Sequence, residues 1–260
     1  MAGVRFLIAG SLVYAWSRFA LGGGPPTRAH WRSASGIGAL LILGGNGLVV
    51  WAEQWVPSGL AALLVGMVPI WMVLADWLWG AGRSPSLGLF AGLLWGLLGV
   101  ALLTSDAGFA ARGAAGLIGG LAVVLAAMST AVGSIWAQRV ALPFRALQVS
   151  GMQMLWGGVW LLVAAALSGE LARLGSVRPS AASLAAVVYL IVFGSLIAFS
   201  AYVWLLRAST PARISTYAYV NPVIALLLGW LLADEPISAR TALAAVIILS
   251  AVVLITRQEA

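Results

Sequence analysis

The sequence predicts an all-α polytopic membrane protein, an inverted-repeat transporter bundle with nine spans, on three observations. Hydrophobic residues make up 62% of the chain and charged ones 8%, a balance that a water-soluble globule does not have. The apolar residues fall in continuous runs of about 20, the length of a helix that crosses a hydrocarbon core. Residues 57–66 running into Met67-Val68-Pro69 also lie over residues 210–219 running into Val220-Asn221-Pro222 at a constant offset. Two membrane-sized helices with a proline at the same internal point indicate an internally duplicated transporter.

The nine runs are bounded by Gly, Pro and charge: 1–21, 31–51, 57–80, 87–104, 115–139, 147–168, 182–206, 211–233 and 240–256. They are continuous and rich in Leu, Ala and Gly, unlike the alternating segments of about 10 residues in a membrane β-barrel, so helices are the spanning structure. The first run reads as a retained span and not a signal peptide. It is long, carries Arg5 near its start and has no clear small-residue cleavage site before Gly22. The repeat register extends backwards to place Trp51 on Trp204 and, after a small shift, Arg5, Ala9 and Gly10 on Gln153, Gly157 and Gly158; forwards, Ser86 meets Ser238. Residues 116–140 open the second copy and have no counterpart in the first. Two repeats are therefore expected, at 1–104 and 115–257, the first lacking its leading helix.

A formal charge of +7 invites a nucleic-acid reading, yet the fourteen basic residues are all Arg and are scattered among span ends. Taking residues 22–30 as cytoplasmic puts Arg18, Arg28, Arg32, Arg83, Arg139, Arg145, Arg207, Arg213 and Arg257 on the cytoplasmic side. The opposite side receives Arg112, Arg173, Arg178 and Arg240 with Glu53, Asp106, Glu170, Asp234 and Glu235. Nine arginines against four set the orientation by the positive-inside rule. The absence of Cys removes disulfides, thiolate metal sites and cysteine nucleophiles together.

Four stretches carry a family resemblance: Met1-Ala2-Gly3-Val4-Arg5-Phe6-Leu7; Gly44-Gly45-Asn46-Gly47 followed by Trp51-Ala52-Glu53-Gln54; Val56-Pro57-Ser58-Gly59-Leu60-Ala61-Ala62 with Pro69; and Ser215-Thr216-Tyr217-Ala218-Tyr219-Val220-Asn221-Pro222. Over essentially its whole length the chain resembles the EamA family of the drug/metabolite transporter superfamily, the last motif being the most specific. The resemblance implies ten helices in two inverted five-helix repeats, a central substrate cavity and both termini in the cytoplasm. This sequence begins where the family's second helix begins, in agreement with the unpaired span.

Polar and aromatic residues at membrane depth are the candidate site, because each polar group there needs a partner or water. Tyr217 and Asn221 share one helix face and Tyr219, Ser215 and Pro222 another; either face could line a substrate path, or tie the helix to its neighbours. Asn46 sits in a Gly-rich stretch that serves close packing or a pathway. Trp136, with Thr130 and Ser134 nearby, and Tyr202 are candidate cavity walls. Trp51 and Trp204, at matching repeat positions, suit an interfacial belt or a gate. Pro69 and Pro222 each remove a backbone hydrogen bond in mid-span, giving a hinge or a static kink. Arg5 either snorkels outward or pairs with a carboxylate such as Glu53. His30 reads as a solvated loop residue, and the glycines of 92–96 and 116–120 as a weak packing pattern.

These residues point to a secondary transporter of small organic metabolites, exporting by resemblance, which alternately exposes a cavity between the repeats. The expected partners are the metabolite and the lipid bilayer, with no nucleic acid, no metal and no cofactor. No GxxxxGK[ST] loop is present to bind ATP. The alternatives are a non-transporting shortened membrane protein and an intramembrane enzyme, the latter poorly supplied by one His and no Cys. With nine spans, location reporters fused to the two ends should read the N-terminus outside and the C-terminus in the cytoplasm. Both ends on one side would overturn either the span count or the absence of the leading helix.

Overall fold

An apolar run in a bilayer becomes a helix because its backbone groups must satisfy one another. A computed structural model describes this outcome for residues 1–79, 87–104, 113–140, 142–170, 180–208, 214, 228, 230–231 and 237–258. Helix α1 (Ala2–Ala15) continues into a π-helical turn, Trp16–Ala20. Helix α2 (Arg28–Gly38) passes through a π-helical stretch, Ala39–Gly47, into α3 (Leu48–Ala52). Then come α4 (Ser58–Val65), α5 (Val68–Leu78), α6 (Leu87–Thr104), α7 (Gly113–Arg139) and α8 (Ala146–Leu167). Helix α9 (Ala181–Tyr189) runs through a second long π-helical stretch, Leu190–Phe199, into α10 (Ser200–Ala208), and α11 (Ala239–Gln258) follows. Four of these helical stretches are long and apolar enough to cross a membrane by themselves: Arg28–Ala52, Gly113–Arg139, Ala146–Leu167 and Ala181–Ala208.

Two local outcomes differ from the sequence reading. Pro69 does not kink a continuous helix. The third span breaks after α4, turns at Gly66–Met67 and restarts as α5, with Pro69 in its first turn, where a missing N–H leaves nothing unsatisfied. His30 is not merely solvated. Thr27 caps α2 by accepting from the His30 amide at 3.4 Å, and the Thr27 amide donates to His30 Nδ1 at 3.2 Å, a reciprocal capping box. The His30 ring also stands edge-on to Phe144 at 4.9 Å. The two long π-helical stretches fall at the same place in the two repeats, since the register that puts Trp51 on Trp204 lays one over the other.

The chain forms two compact units, Met1–Gly47 with Trp136–Ser209, and Leu48–Ile135 with Thr210–Ala260. Each draws on both halves of the sequence. In the first unit, α1 and α8 cross with their backbones almost touching. A Cβ on Gly3 would lie 3.1 Å from the Gly158 carbonyl oxygen, and one on Gly158 would lie 2.9 Å from that of Gly3. A Cβ on Gly10 would lie 2.8 Å from the Leu155 nitrogen and 3.1 Å from the Gly151 carbonyl, while one on Gly151 would sit 2.7 Å from the Tyr14 nitrogen. Gly3 matches Gly151 in the repeat, and Gly10 matches Gly158. Each contact therefore has a partner with the roles exchanged, the signature of a two-fold axis. The helices run antiparallel, so the axis is perpendicular to them and lies in the membrane plane. That is an inverted repeat seen at atomic contact.

Around this pair, α2 lies along α8. A Cβ on Gly38 would meet the Gln153 carbonyl at 2.5 Å, and Gly47 faces Leu161. Phe6, Ile37, Leu41, Ile42, Val149, Met154, Phe199 and Val203 belong to the shared apolar core, with Phe6 edge-on to Phe199 at 6.0 Å. Side-chain hydrogen bonds tie the elements: Ser150 to Ser200 at 3.2 Å, Trp160 Nε1 to Ser35 Oγ at 3.1 Å and Gln148 Nε2 to the Gly24 carbonyl at 2.8 Å. Arg207 donates to the Leu142 and Phe144 carbonyls, holding the turn before α8.

The second unit repeats the device. A Cβ on Gly96 of α6 would lie 3.5 Å from Ala251 of α11, and one on Gly99 would meet Ile248 at 2.8 Å. In the register that joins Ser86 to Ser238, Gly96 matches Ile248 and Gly99 matches Ala251, so these contacts are again reciprocal. Trp95 Nε1 donates to Ser250 Oγ across the same pair at 2.8 Å. Gly119 of α7 receives Val56, and Leu64, Met67, Ile70, Val123, Ala244 and Ile248 form part of this unit's core. Gly96 and Gly119 thus pack against neighbours where the sequence showed only a weak pattern.

Because backbone atoms cannot move aside, Gly151→Ala and Gly10→Ala, which face each other across the α1–α8 crossing, should each destabilise the protein by about 1–3 kcal/mol. Gly24→Ala, whose Cβ would meet only Phe144 at an ordinary 3.7 Å, should not. Thermal unfolding in detergent checks this, and equal melting temperatures for all three variants would remove the close crossing.

Candidate functional site

Arg5 and Gln153 are the polar residues that the repeat places on matching faces of α1 and α8. Arg5 Nη2 points to Asn46 Oδ1 at 3.5 Å, and its guanidinium lies over the Phe6 ring at 4.5 Å. Of the two readings of Arg5, snorkelling outward or pairing with a carboxylate such as Glu53, the second is replaced here by a contact with an amide. Asn46 reaches it from the π-helical stretch, where widened turns loosen the regular hydrogen-bond ladder, and Asn46 itself is exposed. Arg5 Nε is buried with no hydrogen-bond partner among the described residues.

Gln153 is 1% exposed, and neither its amide oxygen nor its amide nitrogen has a partner among the described residues. It borders a cavity of about 10 Å³ with Ile37, Val149, Val203 and Arg207, room for roughly one water. Ser195, on the second π-helical stretch, is also buried, and its hydroxyl has no partner among the described residues. A buried polar group in a span is costly and marks function unless satisfied. Sequence reading aligned Gln153 with Arg5 without treating it as a site. The available signal was its amide inside an otherwise apolar run, at the repeat position of an arginine.

Trp136 is half-buried in the first unit, its indole seated in the notch left by Gly36. Tyr202 is half-buried against the same apolar core. Trp136 and Tyr202 therefore share one core, while Asn46 lies on the π-helical stretch beyond Gly36 on the same span. Trp204 is 58% exposed, and Trp51 is exposed and stands edge-on to Trp55 at 4.6 Å, the disposition of interfacial tryptophans. Ser134 donates to the Thr130 carbonyl within α7 at 2.6 Å. Tyr217, Tyr219, Asn221 and Pro222 lie outside the described residues. Among the described residues no group of three or more His, Asp and Glu could hold a metal ion.

Membrane-length helices, repeat-related antiparallel pairs and a span broken in its middle define a helical inverted-repeat transporter bundle. The sequence profile of the EamA-like transporter family matches residues 1–105 and 117–257, and the chain belongs to that family. It is 39% identical over 257 residues, 98% of its length and 80% of the relative's, to the "Uncharacterized inner membrane transporter YedA" of Escherichia coli K12. It is 28% identical to "Protein PecM" of Dickeya dadantii, over 89% of this chain and 75% of that one. It is 24% identical to the "Uncharacterized transporter YvbV" of Bacillus subtilis, over 82% and 68%. A crystal structure described only as that of a protein shares the fold, with a TM-score of 0.69 at 23% identity over 99% of this chain and 86% of its own. The chain is a multi-pass integral protein of the inner membrane and a transporter.

If the Gln153 amide makes no structural hydrogen bond, Gln153→Leu, similar in volume and apolar, should leave thermal stability unchanged or raise it. Gln153→Glu should lower it by burying a carboxylate. A fall of about 1 kcal/mol or more in the Leu variant would show that the amide has a hydrogen-bond partner.

Proposed function

We propose that this transporter moves small organic metabolites outward across the inner membrane, as a secondary transporter working by alternating access. The reciprocal contacts of α1 and α8 are the observation that carries the reading. A bundle with a two-fold axis in the membrane plane has, for any arrangement open to one side, an inverted arrangement of similar energy open to the other. The break at Gly66–Met67 before Pro69 and the paired π-helical stretches are places where a span can bend without surrendering a full hydrogen-bond ladder. Pro69 and Pro222 are assigned as hinges and Trp51 and Trp204 as gate residues at the membrane surfaces.

Tyr217 and Asn221 are assigned to orient a polar head group, with Tyr219, Asn46, Trp136 and Tyr202 as further substrate contacts. An apolar lining with a few amide and hydroxyl groups suits amino acids, aromatic metabolites or amphipathic drugs. Transport is tested in proteoliposomes against a metabolite panel, with and without a proton gradient. Tyr217→Phe and Asn221→Ala should each raise the apparent half-saturation several-fold, as expected from losing a neutral hydrogen bond of about 0.5–1.5 kcal/mol, at unchanged protein level. Activity that falls only in step with abundance or melting temperature would make these residues helix-packing groups. Unchanged transport would remove them from the path.

A further inference from the structure

On the first compact unit, α1, α2 and α8 frame a groove of about 820 Å³, within the range of about 300–1,000 Å³ usual for ligand sites. Leu7, Leu155 and Val159 supply its aliphatic wall, and Trp31, Trp156 and Trp160 its aromatic one. The groove starts at the first turns of α2, where Arg28 and Arg32 share a helix face, and reaches Leu7, which packs on Gly158 at the α1–α8 crossing. Both arginines are exposed and make no hydrogen bond or ion pair among the described residues, and no Asp or Glu lines the groove. The Trp160 indole N–H is already engaged by Ser35, so the aromatic wall is held in place.

We propose that this groove binds an anionic phospholipid of the leaflet next to the Arg-rich membrane face, its phosphate on Arg28 and Arg32 and an acyl chain along Leu7, Leu155 and Val159. Charge complementarity selects the occupant. Two guanidinium groups with no carboxylate beside them among the described residues suit a phosphate, which they can grip with paired N–H donors. The apolar remainder opens from the side of membrane-crossing helices, where the available long apolar chain is lipid. Basic pockets between spans at this level are suited to anionic head groups, and tryptophans are at home at that depth. A zwitterionic lipid would fill the same apolar space without matching the charge.

The test uses the full chain in phosphatidylcholine bilayers carrying trace phosphatidylglycerol or phosphatidylcholine with a photoactivatable acyl chain, the labelled peptides being mapped by mass spectrometry. Phosphatidylglycerol should label residues 155–160 in preference to phosphatidylcholine. Each arginine near the surface contributes about fivefold, so the Arg28→Gln/Arg32→Gln double variant should lose roughly 25-fold in apparent affinity. Val159→Trp, which fills the groove and keeps both charges, should also reduce labelling and decides the matter if the double variant misfolds. Equal labelling by the two lipids, or a loss below about twofold in a folded Arg variant, would overturn the proposal. Suppression by excess inorganic phosphate would reassign the arginines to a free anion and overturn it as well.

Discussion

Inside a bilayer two helices gain nothing by hiding apolar surface from each other, since lipid tails are as apolar as leucine. They associate through close van der Waals packing, which small residues permit. The crossing of α1 and α8 rests on that constraint. Gly3, Gly10, Gly151 and Gly158 let the backbones approach until an added Cβ would collide with main-chain atoms at 2.7–3.1 Å. Everything else in the first unit is hung from this pair. Helix α2 lies along α8, and the second π-helical stretch meets α1 through Phe199 and Phe6. The Ser150–Ser200 and Ser35–Trp160 hydrogen bonds fasten the rim. The second unit uses the same device with Gly96 and Gly99 against Ala251 and Ile248.

The reciprocity of these contacts joins fold to function. Duplicated halves inserted in opposite orientation can meet helix against matching helix only about an axis in the membrane plane, and both units show such a meeting. The compact units do not coincide with the sequence repeats, because each contains spans from both halves. A change that shifts one repeat against the other must therefore pass through the glycine crossings.

Legibility in the sequence followed dimensionality. The apolar helices and the repeat register could be read because hydropathy and offset are one-dimensional: Trp51 on Trp204 and Arg5 on Gln153 needed no knowledge of packing. Which face of a span meets which neighbour could not be read, because in lipid both faces are apolar and periodicity carries no inside–outside signal. Hence Gly151 and Gly158 looked like two more glycines in a chain that has 31, and Gln153 like a stray amide. Pro69 was legible as a perturbation but not as a helix start, since that depends on Gly66 and Met67 turning just before it. His30 was read as bare because its cap on Thr27 forms only once the chain turns into α2. Of the candidate site, Asn46 gained a partner in Arg5, while Trp136 and Tyr202 proved to be partly core.

The most direct measurement of the α1–α8 dyad is disulfide trapping, which is clean because the chain has no native Cys. A Cβ on Gly151 would lie 2.9 Å from that of Tyr14, and one on Gly10 would lie 2.9 Å from that of Met154, each within about an ångström of disulfide spacing. Oxidation of Tyr14→Cys/Gly151→Cys and of Gly10→Cys/Met154→Cys in native membranes should give cross-linked peptides in both cases. Gly3→Cys/Gly151→Cys, which joins matching repeat positions, should give none. Cross-linking of that last pair with silence from the first two would mean that α1 and α8 run parallel, and would contradict an inverted repeat.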